Sequence, residues 1–208
     1  MSPLSFGALC FSSLFTIIDP IAVAPVFASI THKMSRKMAR QVALRACLVA
    51  LVVLVVFGAS GAALFKLFGI TIDAFRIGGG LVFLAVGLPM LVRPDHAHDE
   101  TAPDSSDPSI VPLGVPLIGG PGAITTIMLL MGQSSTALHT TALFAALALA
   151  IVLTFVVLLL APKLMSKLGS AGTQLITKVM GLIVLVIGVQ FIVDGITPIA
   201  IDILRSAR

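Results

Sequence analysis

The sequence contains no tryptophan and no tyrosine among its 208 residues, and only 11% of its residues are charged. A soluble domain has about a quarter of its residues charged, so this shortage excludes an ordinary soluble fold. The missing tryptophan and tyrosine also exclude the usual aromatic belt at the membrane interface. Because 58% of the residues are hydrophobic and the mean hydropathy is +1.13, we predict an all-α integral membrane protein.

Cysteine, basic clusters and catalytic groups are equally scarce. Cys10 and Cys47 lie in apolar segments without CxxC spacing, so we expect both to be buried hydrophobic residues. No basic face with interleaved aromatics is present, so a nucleic-acid partner is not expected. His139 stands near two serines but has no acidic residue to orient it, and Asp19 is the one carboxylate deep in an apolar segment. The sequence therefore predicts no enzyme.

Charged residues separate six apolar segments, each long enough to cross a bilayer as a helix. They cover roughly residues 4–30, 46–65, 74–92, 110–131, 140–162 and 178–199. Residues 94–109 between the third and fourth segments are polar and acidic, which predicts a flexible cytoplasmic linker. Its acids and its histidines, His96 and His98, match no structural zinc pattern, so no metal cofactor is expected.

Two of the six segments contain proline breaks. The first segment carries Asp19 directly before Pro20, and Pro25 follows within two helical turns. The fourth contains the run Gly119-Gly120-Pro121-Gly122. Proline removes a backbone donor and pushes the preceding residue out of the helical region, so both segments are predicted to be broken. Such breaks persist in a membrane only where protein or a water-filled cavity satisfies the freed backbone groups.

Asp19 is the strongest functional candidate, because a carboxylate at membrane depth costs about 2.5–3.5 kcal/mol on insertion scales. It could hold a coupling proton, a sodium ion or the ammonium group of a substrate. The alternative is a structural role, in which its side chain caps the half-helix that follows Pro20. The two roles are compatible with each other.

The glycine-rich break in the fourth segment is the second candidate. A half-helix that begins at Ala123 would favour an anionic group at its N-terminus, and glycine lets a ligand approach the backbone closely. The alternative is helix packing alone, which is also the role expected of glycines 58, 61 and 78–80. The candidate residues for substrate binding or ion coupling are Asp19, Pro20, Pro25, Gly119, Gly120, Pro121, Gly122, Thr125 and Thr126.

The two halves of the chain resemble each other. The proline breaks, residues 66–69 and 166–169, and residues 76–79 and 178–181 recur at separations of 100 to 102 residues. We therefore predict two three-helix repeats, 1–93 and 110–208, joined by the 94–109 linker within one membrane domain. Because each repeat has three segments, the second repeat enters the membrane from the opposite side, as in many secondary transporters.

Lysine and arginine predict the orientation. Nine of them fall on one side of the predicted topology and four on the other. The positive-inside rule makes the first side cytoplasmic and both termini periplasmic. Arg76 and Lys178 occupy matching positions in the two halves and are expected to anchor the helix ends at the interface, with Asp73 a partner for Arg76.

The motifs FTIIDPIAVAPVF, residues 15–27, and VPLGVPLIGGPGAITTIMLL, residues 111–130, resemble those of the MarC family of bacterial inner-membrane proteins. The resemblance covers essentially the whole chain. Family patterns often have glycine or asparagine where this sequence has Ala22. Some members of that family transport small neutral amino acids such as alanine, glycine and serine, so the resemblance implies such a substrate here.

These observations predict a secondary transporter of small zwitterionic solutes in the bacterial inner membrane. No cofactor is expected beyond a coupling proton or sodium ion, and a homo-oligomer is compatible with the sequence. Two alternatives stay open. One is a non-transporting membrane protein with an assembly or stress role, and the other is a channel, which the lack of charged rings disfavours.

Overall fold

The structure is a computed structural model that describes residues 2–32, 34–92, 109–166 and 169–206. Among these residues, five spans are long and apolar enough to cross a membrane, and the count is six if a bent helix pair is taken as one span. The predicted all-helical membrane fold is therefore confirmed. The elements are α1 (Pro3–Ile18), α2 (Pro20–Thr31), α3 (Arg36–Phe68), α4 (Ile72–Val92), a π-helix (Ser109–Ile118), α5 (Pro121–Gly132), α6 (Ala137–Ser166) and α7 (Gly169–Ser206).

Several helices extend beyond the apolar segments. Helix α3 begins at Arg36, about ten residues before the predicted segment, and α7 continues to Ser206. Charges mark where the apolar run ends, but lysine and arginine are good helix formers and let the helix continue past that point. The π-helix begins at Ser109, one residue inside the predicted linker. The rest of that linker, with His96 and His98, lies outside the described residues.

Local sequence signals determine where the long helix α3 begins and ends. The Ser35 hydroxyl oxygen accepts a hydrogen bond from the Met38 amide at 3.3 Å, which caps the N-terminus of α3. At the other end Gly69 has a φ of 64° and closes the helix in the left-handed conformation. The short connection to α4 follows directly, so α3 and α4 run in opposite directions.

Each broken span packs mainly against a long helix of the other half of the chain, either α6 or α3. Helices α1 and α2 contact α6, whereas the π-helix and α5 contact α3. The α3 surface at this contact includes the small, fully buried side chain of Ala50. A Cβ atom on Gly119 would lie 3.1 Å from the Cα atom of Ala50. Small residues on both sides therefore let the irregular backbone approach α3 closely.

The most extensive helix contact joins α4 and α7, the last helices of the two halves. A Cβ atom on Gly188 would lie 2.8 Å from the carbonyl oxygen of Gly80, and one on Gly87 would lie 3.0 Å from that of Gly181. The helices are thus antiparallel, and two glycine pairs bring their backbones together. The packing expected of Gly80 is confirmed, but a Cβ atom on Gly78 would meet nothing within 4 Å. Packing was the wrong prediction for Gly78.

This contact predicts the effect of adding one methyl group. In Gly188→Ala the new methyl group meets the Gly80 carbonyl oxygen at 2.8 Å and the Phe83 Cβ atom at 3.0 Å. Because such overpacking costs about 1–3 kcal/mol, we expect a lower melting temperature of the detergent-purified protein. Gly78→Ala is the matched control and leaves the melting temperature unchanged or slightly raised. Equal melting temperatures for the two variants would contradict the tight α4–α7 contact.

Candidate functional site

The first break lies at the predicted residue, Asp19. Helix α1 ends at Ile18 and α2 begins at Pro20, and Asp19 between them has φ 42° and ψ 70°. Its amide donates to the Phe15 carbonyl at 3.1 Å, and its own carbonyl accepts from the Val23 amide at 3.2 Å. The backbone therefore stays hydrogen-bonded on both sides of the break, although Asp19 itself adopts the left-handed helical conformation.

The Asp19 side chain caps α2. Its Oδ1 atom accepts a hydrogen bond from the Ala22 amide at 3.2 Å, so the structural role weighed for this residue is present. The side chain is exposed, and among the described residues its Oδ2 atom has no hydrogen-bond partner. The cap thus uses one carboxylate oxygen and leaves the other available to a ligand.

The second break lies at Gly119 and Gly120, where the π-helix and α5 meet at 51°. Helix α5 begins at Pro121, not at Ala123 as predicted, because proline suits the first helical position, where no amide donor is needed. The first helical hydrogen bond of α5 runs from the Ile124 amide to the Gly120 carbonyl at 2.9 Å. The amides of Gly122 and Ala123 precede this bond, so neither has a carbonyl partner within α5.

Gly120 at the start of α5 makes no side-chain capping hydrogen bond. The free amides and the helix dipole give this end a partial positive charge. The two breaks therefore differ in electrostatic character. One presents a carboxylate, and the other presents an uncapped helix N-terminus.

Both breaks line one cavity of about 260 Å³, the first cavity. Asp19 contributes the carboxylate, and Gly120, Gly122 and Ala123 contribute the start of α5. The rest of the lining is mainly apolar and comes from α1, α2, the π-helix, α4 and α7: Thr16, Ile17, Ile18, Ala22, Val23, Phe83, Leu117, Met180, Ile183, Val184, Ile187 and Phe191. The cavity can therefore hold a small molecule that carries both charges and an apolar part.

Two phenylalanines bring the outer helices to this site. The rings of Phe83 on α4 and Phe191 on α7 have their centroids 5.6 Å apart. A Cβ atom on Gly122 would lie 2.9 Å from the Cζ atom of Phe191. Gly122 therefore needs to be glycine for the ring to pack against the start of α5.

The remaining candidate residues lie outside the lining of the first cavity. Pro20 and Pro25 are buried within α2. The Thr125 hydroxyl donates to the Gly122 carbonyl at 3.1 Å, and Thr126 is half-buried one residue further on. Gly119 and Pro121 line another cavity on the opposite side of the break.

No sequence pattern identified the α4 and α7 residues of the site. Phe83, Met180, Ile187 and Phe191 are apolar residues of membrane helices, and their residue types alone do not distinguish them from lipid-facing residues. Only the tertiary packing separates the cavity-lining face of α7 from its lipid-facing surface.

The two predicted helix-end cations have defined partners. An Arg76 guanidinium nitrogen lies 3.7 Å from Oδ1 of Asp73, the partner that the sequence indicated. Lys178 Nζ donates to the Leu91 carbonyl at 2.7 Å and so satisfies a carbonyl at the end of α4. Cys10 and Cys47 are buried, as predicted.

A family model described as MarC family integral membrane protein matches residues 4–200 of the chain. The chain belongs to the MarC family. A UPF0056 membrane protein of Aquifex aeolicus is 36% identical to this MarC-family chain, and the alignment covers 92% of the chain and 94% of the relative. A UPF0056 membrane protein of Methanocaldococcus jannaschii is 34% identical, covering 93% and 97%. YhcE of Escherichia coli is 30% identical, covering 91% of both.

These relatives come from archaea as well as bacteria. No solved structure matches the chain.

The cap geometry predicts an order of stability for variants of Asp19. Asparagine both caps well and tolerates the left-handed conformation, so Asp19→Asn keeps the melting temperature. Glycine lacks the cap but has no left-handed strain, so Asp19→Gly loses only a few tenths of a kcal/mol. Alanine loses the cap and adds the strain, which together cost about 2 kcal/mol. Thermal unfolding of the purified variants checks this order, and Asp19→Ala as stable as Asp19→Asn contradicts it.

Proposed function

We propose that this MarC-family protein is a secondary transporter of small zwitterionic solutes such as neutral amino acids, in the bacterial inner membrane. The solute binds where the two broken spans meet. Asp19 binds its ammonium group, and the amides at the start of α5 bind its carboxylate. A proton or a sodium ion couples transport to a gradient, and both termini lie in the periplasm. The proposal involves no catalytic step.

The observation that carries the proposal is the shared cavity. A carboxylate with a free oxygen and an uncapped helix N-terminus line the same space of about 260 Å³. A dry cavity of about 150 Å³ already binds a molecule the size of benzene, so a small amino acid with some water fits. Opposite partial charges on the two sides of a mostly apolar cavity match a zwitterion better than a simple cation or anion.

Reciprocal packing supports the inverted repeat within this proposal. Gly181 and Gly188 follow Gly80 and Gly87 by 101 residues, which is also the separation of Pro20 and Pro121 at the two breaks. The contact of Gly80 with Gly188 therefore corresponds to that of Gly181 with Gly87, as expected for helices related by a two-fold axis between them. The same two-fold relation is seen in the broken spans: α1 and α2 pack on α6, and the π-helix and α5 pack on α3.

The cavity also favours transport over breaks that serve packing alone. Packing does account for Gly119 against Ala50 and for Gly122 against Phe191. It does not account for an exposed carboxylate and unpaired amides beside a cavity, because groups that serve packing alone are expected to be satisfied by neighbouring protein.

Uptake of labelled alanine, glycine and serine into proteoliposomes tests the proposal, with proton and sodium gradients imposed separately. We expect saturable uptake by the wild type. Asp19→Asn keeps the cap but removes the charge, so uptake falls about tenfold or more, as expected for the loss of a charge-assisted hydrogen bond. Asp202→Asn is the matched control, because it removes an exposed carboxylate of α7 outside the cavity and keeps uptake at the wild-type rate.

Two results would contradict the proposal. Folded wild type that takes up none of the three amino acids under either gradient removes the support for transport of these solutes. Full uptake by Asp19→Asn with a loss in Asp19→Ala restricts Asp19 to its capping role.

A further inference from the structure

A second cavity of about 390 Å³ lies on the other side of the glycine-rich break. Its walls are the first part of α4, the π-helix and the start of α5, and it is mainly apolar. Its lining includes Gly78 and Gly79 of α4 and Gly119, Gly120 and Pro121 of the break.

The two cavities lie at different depths along the bundle. The glycine contacts place Gly80 level with Gly188 and Gly87 level with Gly181, so each step along α4 is matched by one step back along α7. The α7 lining of the first cavity, from 180 to 191, is therefore level with about residues 77–88 of α4. The second cavity follows residues 70–82 of the α3–α4 connection and α4. Their centres are thus offset by about 10 Å, and their depths overlap near residues 77–82.

The break itself separates the two cavities where their depths overlap. Gly120 lines both of them, whereas Gly122 and Ala123 line the first, and Gly119 and Pro121 line the second. The backbone of the break is therefore a thin wall that has one cavity on each side.

Helix α4 closes against this wall. A Cβ atom on Gly79 would lie 2.6 Å from the Cβ atom of Pro121 and would overlap the proline ring. About one turn further along α4, Phe83 also approaches the break: a Cβ atom on Gly120 would lie 3.4 Å from one of its ring carbons. The contact of Gly79 with Pro121 thus leaves no space for an additional atom between α4 and the break.

We propose that the two cavities are the two ends of a single solute path, and that the contact of Gly79 with Pro121 closes the path between them. The occupant of both ends is the transported zwitterion with its water. This inference rests on the proposed transport function. The first cavity, which contains the charged site, lies nearer the C-terminal end of α4, and the second lies nearer the α3–α4 connection.

Sided labelling of single cysteines tests the path without measuring transport. The background carries Cys10→Ala and Cys47→Ala, and the probe is a charged, membrane-impermeant methanethiosulfonate. Gly78→Cys reports on the second cavity, where a side chain at this position has open space, and Ile183→Cys reports on the first. Leu81→Cys is the matched control, because Leu81 is exposed on α4 and lines neither cavity.

We expect Gly78→Cys to react in vesicles of one orientation and Ile183→Cys in vesicles of the other, whereas Leu81→Cys reacts in neither. The proposal is overturned if Gly78→Cys reacts no faster than Leu81→Cys, since the second cavity is then a lipid-filled groove. It is also overturned if Gly78→Cys and Ile183→Cys react from the same side. Sided labelling without amino-acid uptake would instead contradict the proposed substrate and leave the path intact.

A second experiment tests the closure. In Gly79→Ala the added methyl group pushes Pro121 away, so labelling of Ile183→Cys from its unreactive side rises about threefold or more. Pro121→Ala loosens the same contact by removing the ring and gives the same rise, which covers the case in which Gly79→Ala does not fold. Gly132→Ala, with open space at its methyl group and outside both cavities, leaves the sidedness unchanged. Unchanged sidedness in both Gly79→Ala and Pro121→Ala overturns the closure.

Discussion

The backbone of a membrane-spanning segment must have its hydrogen bonds satisfied without bulk water, and this constraint governs the whole molecule. The two broken spans meet it differently. At the first break, Asp19 is hydrogen-bonded through its amide, its carbonyl and its side chain. At the second, the start of α5 has no side-chain cap, and its free amides belong to residues that line the first cavity. The protein itself thus satisfies the backbone hydrogen bonds of the first break, whereas the free amides of the second depend on what occupies the cavity.

The need to enclose irregular backbone also accounts for the order in which the helices pack. The first broken span is more than half buried, whereas α4 and α7 are largely exposed. The long helices α3 and α6 cover the breaks from one side with alanine, leucine and glycine. Helices α4 and α7 form the other wall through Phe83 and Phe191, and their exposed faces remain for lipid. Both breaks therefore lie between these two walls, where they adjoin the first cavity.

The features that local sterics determine were the ones that the sequence predicted best. Proline disfavours helical geometry in the residue before it, so Asp19 could be identified as the first break without tertiary information. The start of α5 was predicted two residues too late, because the preference of proline for the first helical position was not applied to Pro121. The far wall of the cavity was not predictable, since Phe83 and Ile187 look like any other apolar residue of a membrane helix. Their role depends on which face of α4 and α7 turns inward.

The run of glycines at 78, 79 and 80 shows how one segment can serve three roles. Successive residues of a helix point about 100° apart, so adjacent glycines face different neighbours. Gly78 faces open space beside the second cavity, Gly79 touches Pro121, and Gly80 touches Gly188 across the α4–α7 contact. The contact between the two halves and the wall between the cavities are therefore adjacent on one helix. A displacement of α4 relative to α7 moves Gly79 against Pro121, so within the proposed transport cycle the motion between the halves is coupled directly to the closure of the path.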